Sequence, residues 1–177
     1  MSSYLIGLGA GIAVVLLIAA IVKLRTRGSP MSVAEKAEYL SKRRARMLPA
    51  LAVIFLSQQA TFFSQMSSSG HISAEKAKIS AWLVLSIVLL AALASKGFWL
   101  EPKEVRDLVD DENTRANRNE AMRWGFLFSM GTAIAVYILT MFDTVTGREA
   151  VHLVMSSGIA TALIRWGILE RRAHKDA

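Results

Sequence analysis

Apolar residues in this chain come in blocks separated by charged residues, and the blocks have the length of membrane spans. Uncharged stretches cover residues 1–22, 47–74, 79–95 and 124–142, which are 22, 28, 17 and 19 residues long. A helix crossing the hydrocarbon core of a bilayer needs roughly 20 consecutive residues of this kind. The pattern therefore predicts spans over 4–22, 47–66, 79–94 and 124–142. A fifth, 150–169, contains His152 and Arg165, so its uncharged core is only the 15 residues 150–164. It crosses if Arg165 snorkels toward the interface. In the first span the cations Lys23, Arg25 and Arg27 follow the apolar run. A secretory signal carries them in front, so no cleavage is expected.

The expected fold is all-α: a polytopic integral membrane protein with about five transmembrane helices in a bundle. Its parts are an N-terminal transmembrane helix (1–24), a basic cytoplasmic loop with a short amphipathic helix (25–46) and a transmembrane hairpin (47–95). A mixed-charge cytoplasmic loop and helix (96–123), a second hairpin (124–169) and a cytoplasmic tail (170–177) follow. Five spans divide the 21 Lys and Arg into 18 on one side and 3 (Lys76, Lys78, Arg148) on the other. Cytoplasmic loops carry the excess of positive charge, which puts the N-terminus outside and the C-terminus in the cytoplasm. Trp82, Trp99, Trp124 and Trp166 fall at or just beyond span ends, where an aromatic belt belongs.

Composition agrees with this placement. Of 177 residues, 53% are hydrophobic and 20% charged, and the mean hydropathy is +0.38, whereas a soluble domain carries about 25% charge. The net charge of +7 lies beside membrane exits on one face, which reads as topology and gives no nucleic-acid partner. The absence of cysteine excludes disulfides, thiolate nucleophiles and Cys-based metal sites.

The first loop contains Ser32-Val33-Ala34-Glu35, the spacing of a capping box, which predicts a helix start. Val33, Ala37 and Leu40 share one face of that helix, and Lys42, Arg43, Arg44 and Arg46 close it. Such a helix suits the surface of an anionic leaflet. The same basic run serves equally as the stop signal before the second span. In the second loop Pro102 fits a first helical position, with Val105, Leu108 and Val109 on one stripe. Asp107, Asp110, Asp111 and Glu112 lack the glycine and alternation of an EF-hand and are read as acids at a helix N-terminus. From Asp111 an unbroken helix is expected to run into the fourth span, to Phe142. The acidic group and the basic Lys42 to Arg46 run lie on one side, and the two loops are expected to pack by charge or to hold a partner jointly.

Within the membrane, Gln58, Thr61 and Gln65 lie at i, i+3 and i+7, with Ser57 and Ser64 beside them. Polar amides facing lipid are costly, so this stripe should face other helices. Interhelical hydrogen bonding is the preferred role, and lining a substrate path is the alternative. Small residues recur at four-residue spacing in Gly7/Gly11, Gly125/Ser129, Gly131/Ala135, Ser157/Thr161 and Gly158/Ala162, which permits close helix approach. His71 and His152 map to the outer side. His152 is expected to be an ordinary polar cap, and a metal or haem site made by the two histidines requires that they meet.

No catalytic motif, cofactor site or metal site is assigned. The C-terminal two-fifths resembles in layout several uncharacterised bacterial inner-membrane proteins, a likeness that carries no activity. The expected function is a non-catalytic accessory or assembly subunit of the bacterial inner membrane. It would contact anionic lipid and pack against another membrane protein or itself. The alternative is a small oligomeric transporter or channel using the polar stripe.

Overall fold

The computed structural model describes residues 32–66, 72–95 and 103–175 together with Gly9, Ile12 and Ala13; side chains of 61–66 and 72–77 are not described. Apart from those three residues the expected first span lies outside the described residues, as do Gly7, Gly11, His71, Trp99 and Pro102. The described residues form five helices and no strand: α1 (Val33–Met66), α2 (Ile72–Ala94), α3 (Lys103–Val109), α4 (Glu112–Leu139) and α5 (Gly147–Ala173).

Helix α1 starts as the capping-box spacing predicts. Ser32 N donates to Glu35 Oε2 at 2.8 Å, and Glu35 N donates to Ser32 Oγ at 3.3 Å. The helix does not end at residue 46, however. It runs 34 residues through the expected boundary between loop and span, with Pro49 in its interior. The stretch before Pro49 is rich in Ala, Glu, Lys, Arg and Leu, all strong helix formers, and holds no breaker.

Proline has no N–H, so the carbonyl of Ala45 four residues earlier loses its helical donor. Helix α5 compensates from one face. Arg171 Nε donates to Ala45 O at 3.1 Å. One turn earlier, Gly167 leaves room for the proline ring, since a Cβ built there would meet Pro49 Cγ and Cδ at 2.6 Å.

The expected span with the shortest uncharged core, the fifth, is the hub of the protein. Half of α5's apolar window is buried (50%), against 11% of α4's. Leu48, Ala52 and Phe55 of α1, Trp82, Leu89 and Leu93 of α2 and Ile159, Leu163 and Trp166 of α5 make the core. Two of the small-residue pairs interlock between α4 and α5. A Cβ on Gly125 would lie 2.8 Å from Ala162 Cβ, and one on Gly158 would collide with Ser129 Oγ. Gly131 has open space around it and takes no part in this contact.

Helix α4 begins on Asp111, whose side chain accepts from Thr114 N at 2.7 Å, as the acidic N-terminus predicts. It ends at Leu139, and 140–142 form a turn where continued helix was expected. Thr146 and Glu149 cap α5 with a second capping box. The two loops do pack, with Ala37 and Leu40 of α1 against Val105 and Val109 of α3. Val33 and Leu108, expected on those stripes, are exposed.

Helices α4 and α5 are each long and apolar enough to cross a membrane. The apolar stretch of α2 is shorter, over Lys78–Ala94. The exterior is strongly apolar, with Phe126, Ile134, Tyr137, Ile138, Val53 and Ile87 among the exposed side chains. Monomeric soluble proteins rarely expose contiguous apolar patches of this kind.

Candidate functional site

Among the described residues, two buried polar clusters lie toward opposite ends of α5. At the basic end Arg44 of α1 reaches α4 and α5. Its Nη2 donates to Glu170 Oε2 at 2.7 Å and to Thr114 Oγ1 at 2.9 Å. The pair is buried, with side chains 7% and 3% exposed. The other Glu170 oxygen accepts from Trp166 Nε1 at 3.2 Å, and Asn117 Nδ2 stands 3.5 Å from it, at the outer limit of a hydrogen bond. Arg44 Cζ also lies 5.3 Å from the Trp166 ring centroid, within cation–π range. Ser41 Oγ and His174 Nε2, 3.1 Å apart, tie the end of α5 to α1 beside this cluster.

At the other end, α1, α2 and α5 meet around His152. Its Nδ1 is 3.3 Å from Gln59 Oε1, which also accepts from Ser156 Oγ at 3.0 Å. The Trp82 ring stacks on the imidazole with centroids 3.7 Å apart, and Phe55 stacks on Trp82 at 6.4 Å. Gln59, Trp82, His152 and Ser156 are all buried. Gln59 Nε2 and Trp82 Nε1 find no hydrogen-bond partner among the described residues. Flipping the Gln59 amide exchanges which of its two atoms lacks a partner and leaves the deficit in place.

This arrangement redistributes the residues expected to form sites. In the polar stripe, Ser57 and Gln58 are exposed, and Ser57 Oγ bonds back to Val53 O at 2.8 Å. Side chains of Thr61, Ser64 and Gln65 lie outside the described residues. The buried amide is instead Gln59, which shares a face with Leu48, Ala52 and Phe55 at i, i+4, i+7 and i+11. That apolar register was legible in the chain and could have singled it out. His152, expected as a polar cap, is buried in a three-helix junction. Trp82 and Trp166, expected in an interfacial belt, are buried partners of His152 and Glu170, while Trp124 is exposed.

The basic run splits in the same way. Lys42 and Arg46 are exposed, and Lys42 Nζ bonds Glu38 Oε1 at 2.6 Å. Arg43 is half-buried, and Arg44 is buried and paired with Glu170. Of the acidic group, Asp107, Asp111 and Glu112 are exposed. Asp110 is 1% exposed and pairs with α4, through Arg115 Nε and Arg118 Nη1, each at 3.0 Å. Arg118 Nη1 further donates to Ser95 O at 3.1 Å, at the end of α2. Arg165 is not left to snorkel alone, because it pairs with Glu120 of α4 and lies 5.8 Å from the Trp124 ring centroid.

Comparison of the chain with protein-family models, curated proteins and solved structures finds no match.

Proposed function

We propose that this chain is a non-catalytic, multi-pass protein of the bacterial inner membrane, an accessory or assembly subunit that packs against a membrane partner or itself. The observation that carries this is the inversion of polarity: aromatic and aliphatic side chains of α4 face outward while the Arg44–Glu170 pair is buried. In a bilayer the outer face is solvated by lipid, and the helices are held by close packing and interhelical hydrogen bonds. Five crossings, with the N-terminus outside and the C-terminus in the cytoplasm, follow from the apolar blocks and the 18 to 3 charge division. Arg44, Thr114, Glu170 and His174 bring the first half of α1, the start of α4 and the end of α5 together at one end of the bundle, which supports the shared side these segments take in that topology.

Reporter fusions test it directly. Periplasmic activity at Gly28 or Lys175, or cytoplasmic activity at Gly70 or Gly147, would overturn the topology. Purification in mild detergent with identification of co-migrating chains tests the accessory role.

A second reading, a small oligomeric transporter or channel, is favoured by one specific feature. Gln59 Nε2 and Trp82 Nε1 are buried donors in a polar junction, a place where a passing guest or water would be held. A flux abolished by Gln59→Leu in a stably assembled protein would select this reading.

A further inference from the structure

The junction of α1, α2 and α5 around His152 holds more hydrogen-bond donors than acceptors. Gln59 Oε1 accepts from Ser156 Oγ at 3.0 Å and stands 3.3 Å from His152 Nδ1. A carbonyl oxygen only accepts, so the network assigns the imidazole proton to Nδ1, and both lone pairs of Oε1 are taken. Gln59 Nε2 and Trp82 Nε1 find no partner among the described residues. Gln59 and Trp82 are 7% and 6% exposed, so bulk solvent does not serve these donors either. A buried N–H without an acceptor carries its full desolvation penalty.

Ring geometry says where the indole donor points. Trp82 is stacked on the His152 ring with 26° between the planes and on Phe55 with 12°. The indole N–H lies in its ring plane, so it is aimed along the rim of this stack and into neither neighbouring face. The Gln59 amide also meets the imidazole at its rim, through Nδ1. Both donors therefore border the edge of one buried ring. The residues from Met47 to Ala74 carry no charge, and the nearest charged residues before Trp82 and His152 are Lys78 of α2 and Arg148 and Glu149 of α5, toward the helix starts. An ion would bring charge into a cluster of amide, hydroxyl and aromatic groups that offers no counter-charge of its own. A guest that fits is neutral, small and has two lone pairs, which describes water; buried waters bridge polar groups that lack other partners. His152 lies five residues after Gly147, about 8 Å along α5 at ~1.5 Å per residue, so water reaches it without crossing the hydrocarbon core.

We infer that this junction is a binding site for one internal water molecule, which accepts from Gln59 Nε2 and Trp82 Nε1 and so joins α1 to α2. The direct Ser156 to Gln59 bond joins α5 to α1 beside it. The assignment rests on the first reading above, in which interhelical hydrogen bonds hold the bundle, and names the bond that Trp82 adds to it. The occupant is a held water and not a solute in transit.

The test is nuclear magnetic resonance of the full chain, isotopically labelled at nitrogen, in deuterated detergent. Each of the four tryptophans gives one indole N–H signal. That of Trp82 is the one lost in Trp82→Phe, which keeps a ring in the stack and removes the donor. If that variant does not fold, the signal is identified in the wild type by its cross-relaxation with the His152 ring protons. The Trp82 and Gln59 side-chain N–H signals should both show cross-peaks to water that differ in sign between the laboratory-frame and rotating-frame experiments. That sign change marks a held molecule, whereas hydrogen exchange gives the same sign in both. Peaks from exchange alone, contact from only one of the two donors, or cross-peaks to a co-purified lipid in place of water would overturn the assignment. Thermal unfolding gives a second readout: Trp82→Phe should lower the unfolding temperature by about 2–4 °C, and by less in a Gln59→Leu background. A Trp82→Phe protein as stable as the wild type would also overturn it, because the indole N–H would then hold nothing. Topology reporters separate the two levels: a missing water signal with the expected topology sinks this assignment only, and a reversed topology sinks the membrane reading while leaving the water signal to be read by itself.

Discussion

Arg171 Nε donates a hydrogen bond to the carbonyl oxygen of Ala45, four residues before Pro49, and so replaces the donor that the proline cannot supply. Gly167, one turn earlier on α5, gives the proline ring its space. The expected consequence is coupling. Arg171→Met should destabilise the protein by about 1–3 kcal/mol by leaving a carbonyl unpartnered. In a Pro49→Ala background, where the new backbone N–H restores the helical donor, the same change should cost less. Thermal unfolding of the four proteins of this cycle in detergent measures the difference, and strict additivity would refute the compensation.

The buried Arg44–Glu170 pair leads to a second expectation. Removing one member leaves a buried charge facing apolar surroundings, which costs about 3–5 kcal/mol. Arg44→Met or Glu170→Met should each lower the unfolding temperature strongly. The double variant should recover much of the loss, because replacing both members of a buried pair is often neutral. Equal unfolding temperatures for wild type and single variants would show that the pair holds nothing together.

Adjacent glutamines should behave differently. Gln59 accepts from Ser156 and meets His152, while Gln58 is exposed. Gln59→Leu should cost about 1–3 kcal/mol by stranding its partners, and Gln58→Leu should stay within about 0.5 kcal/mol of wild type. The reverse order, read by detergent melting, would return the polar contact to the stripe expected around Gln58.

A fourth expectation concerns pH at the start of α1. The Ser32 backbone and side-chain hydrogen bonds hold the Glu35 carboxyl below its ordinary value. A depressed folded pKa gives stability that is present above the unfolded value of about 4.3 and is lost as pH falls through the folded one. Protection of the Val33 to Lys36 amides, taken relative to the unstructured exchange rate at each pH, should therefore fall on acidification below that point. Glu35→Gln should remove this change in protection, and wild-type protection that is the same above and below that point would show that the cap is not formed.

Much of the helical content was legible along the chain because it depends on local features. The Ser32–Glu35 box starts α1, Asp111 caps α4, and the apolar blocks around 124–142 and 150–164 lie largely within the two helices long enough to cross a membrane. The interlocking Gly125/Ser129 and Gly158/Ala162 pairs also stood out by spacing, although nothing in the spacing separated them from Gly131/Ala135, whose glycine stands in open space.

Tertiary structure alone decided which polar groups are inside. Spacing places Arg44 in a basic run, Glu170 in a tail and His152 at a helix start, and each reads locally as a solvated residue. They are buried because α5, apolar but studded with His152, Arg165 and Glu170, lies at the centre, where each charge or dipole finds a partner on another helix. The partners are 45 to 126 residues away in the chain. A long-range pairing of that kind has no local signature, because any of several cations or amides could meet it until the helices choose their register.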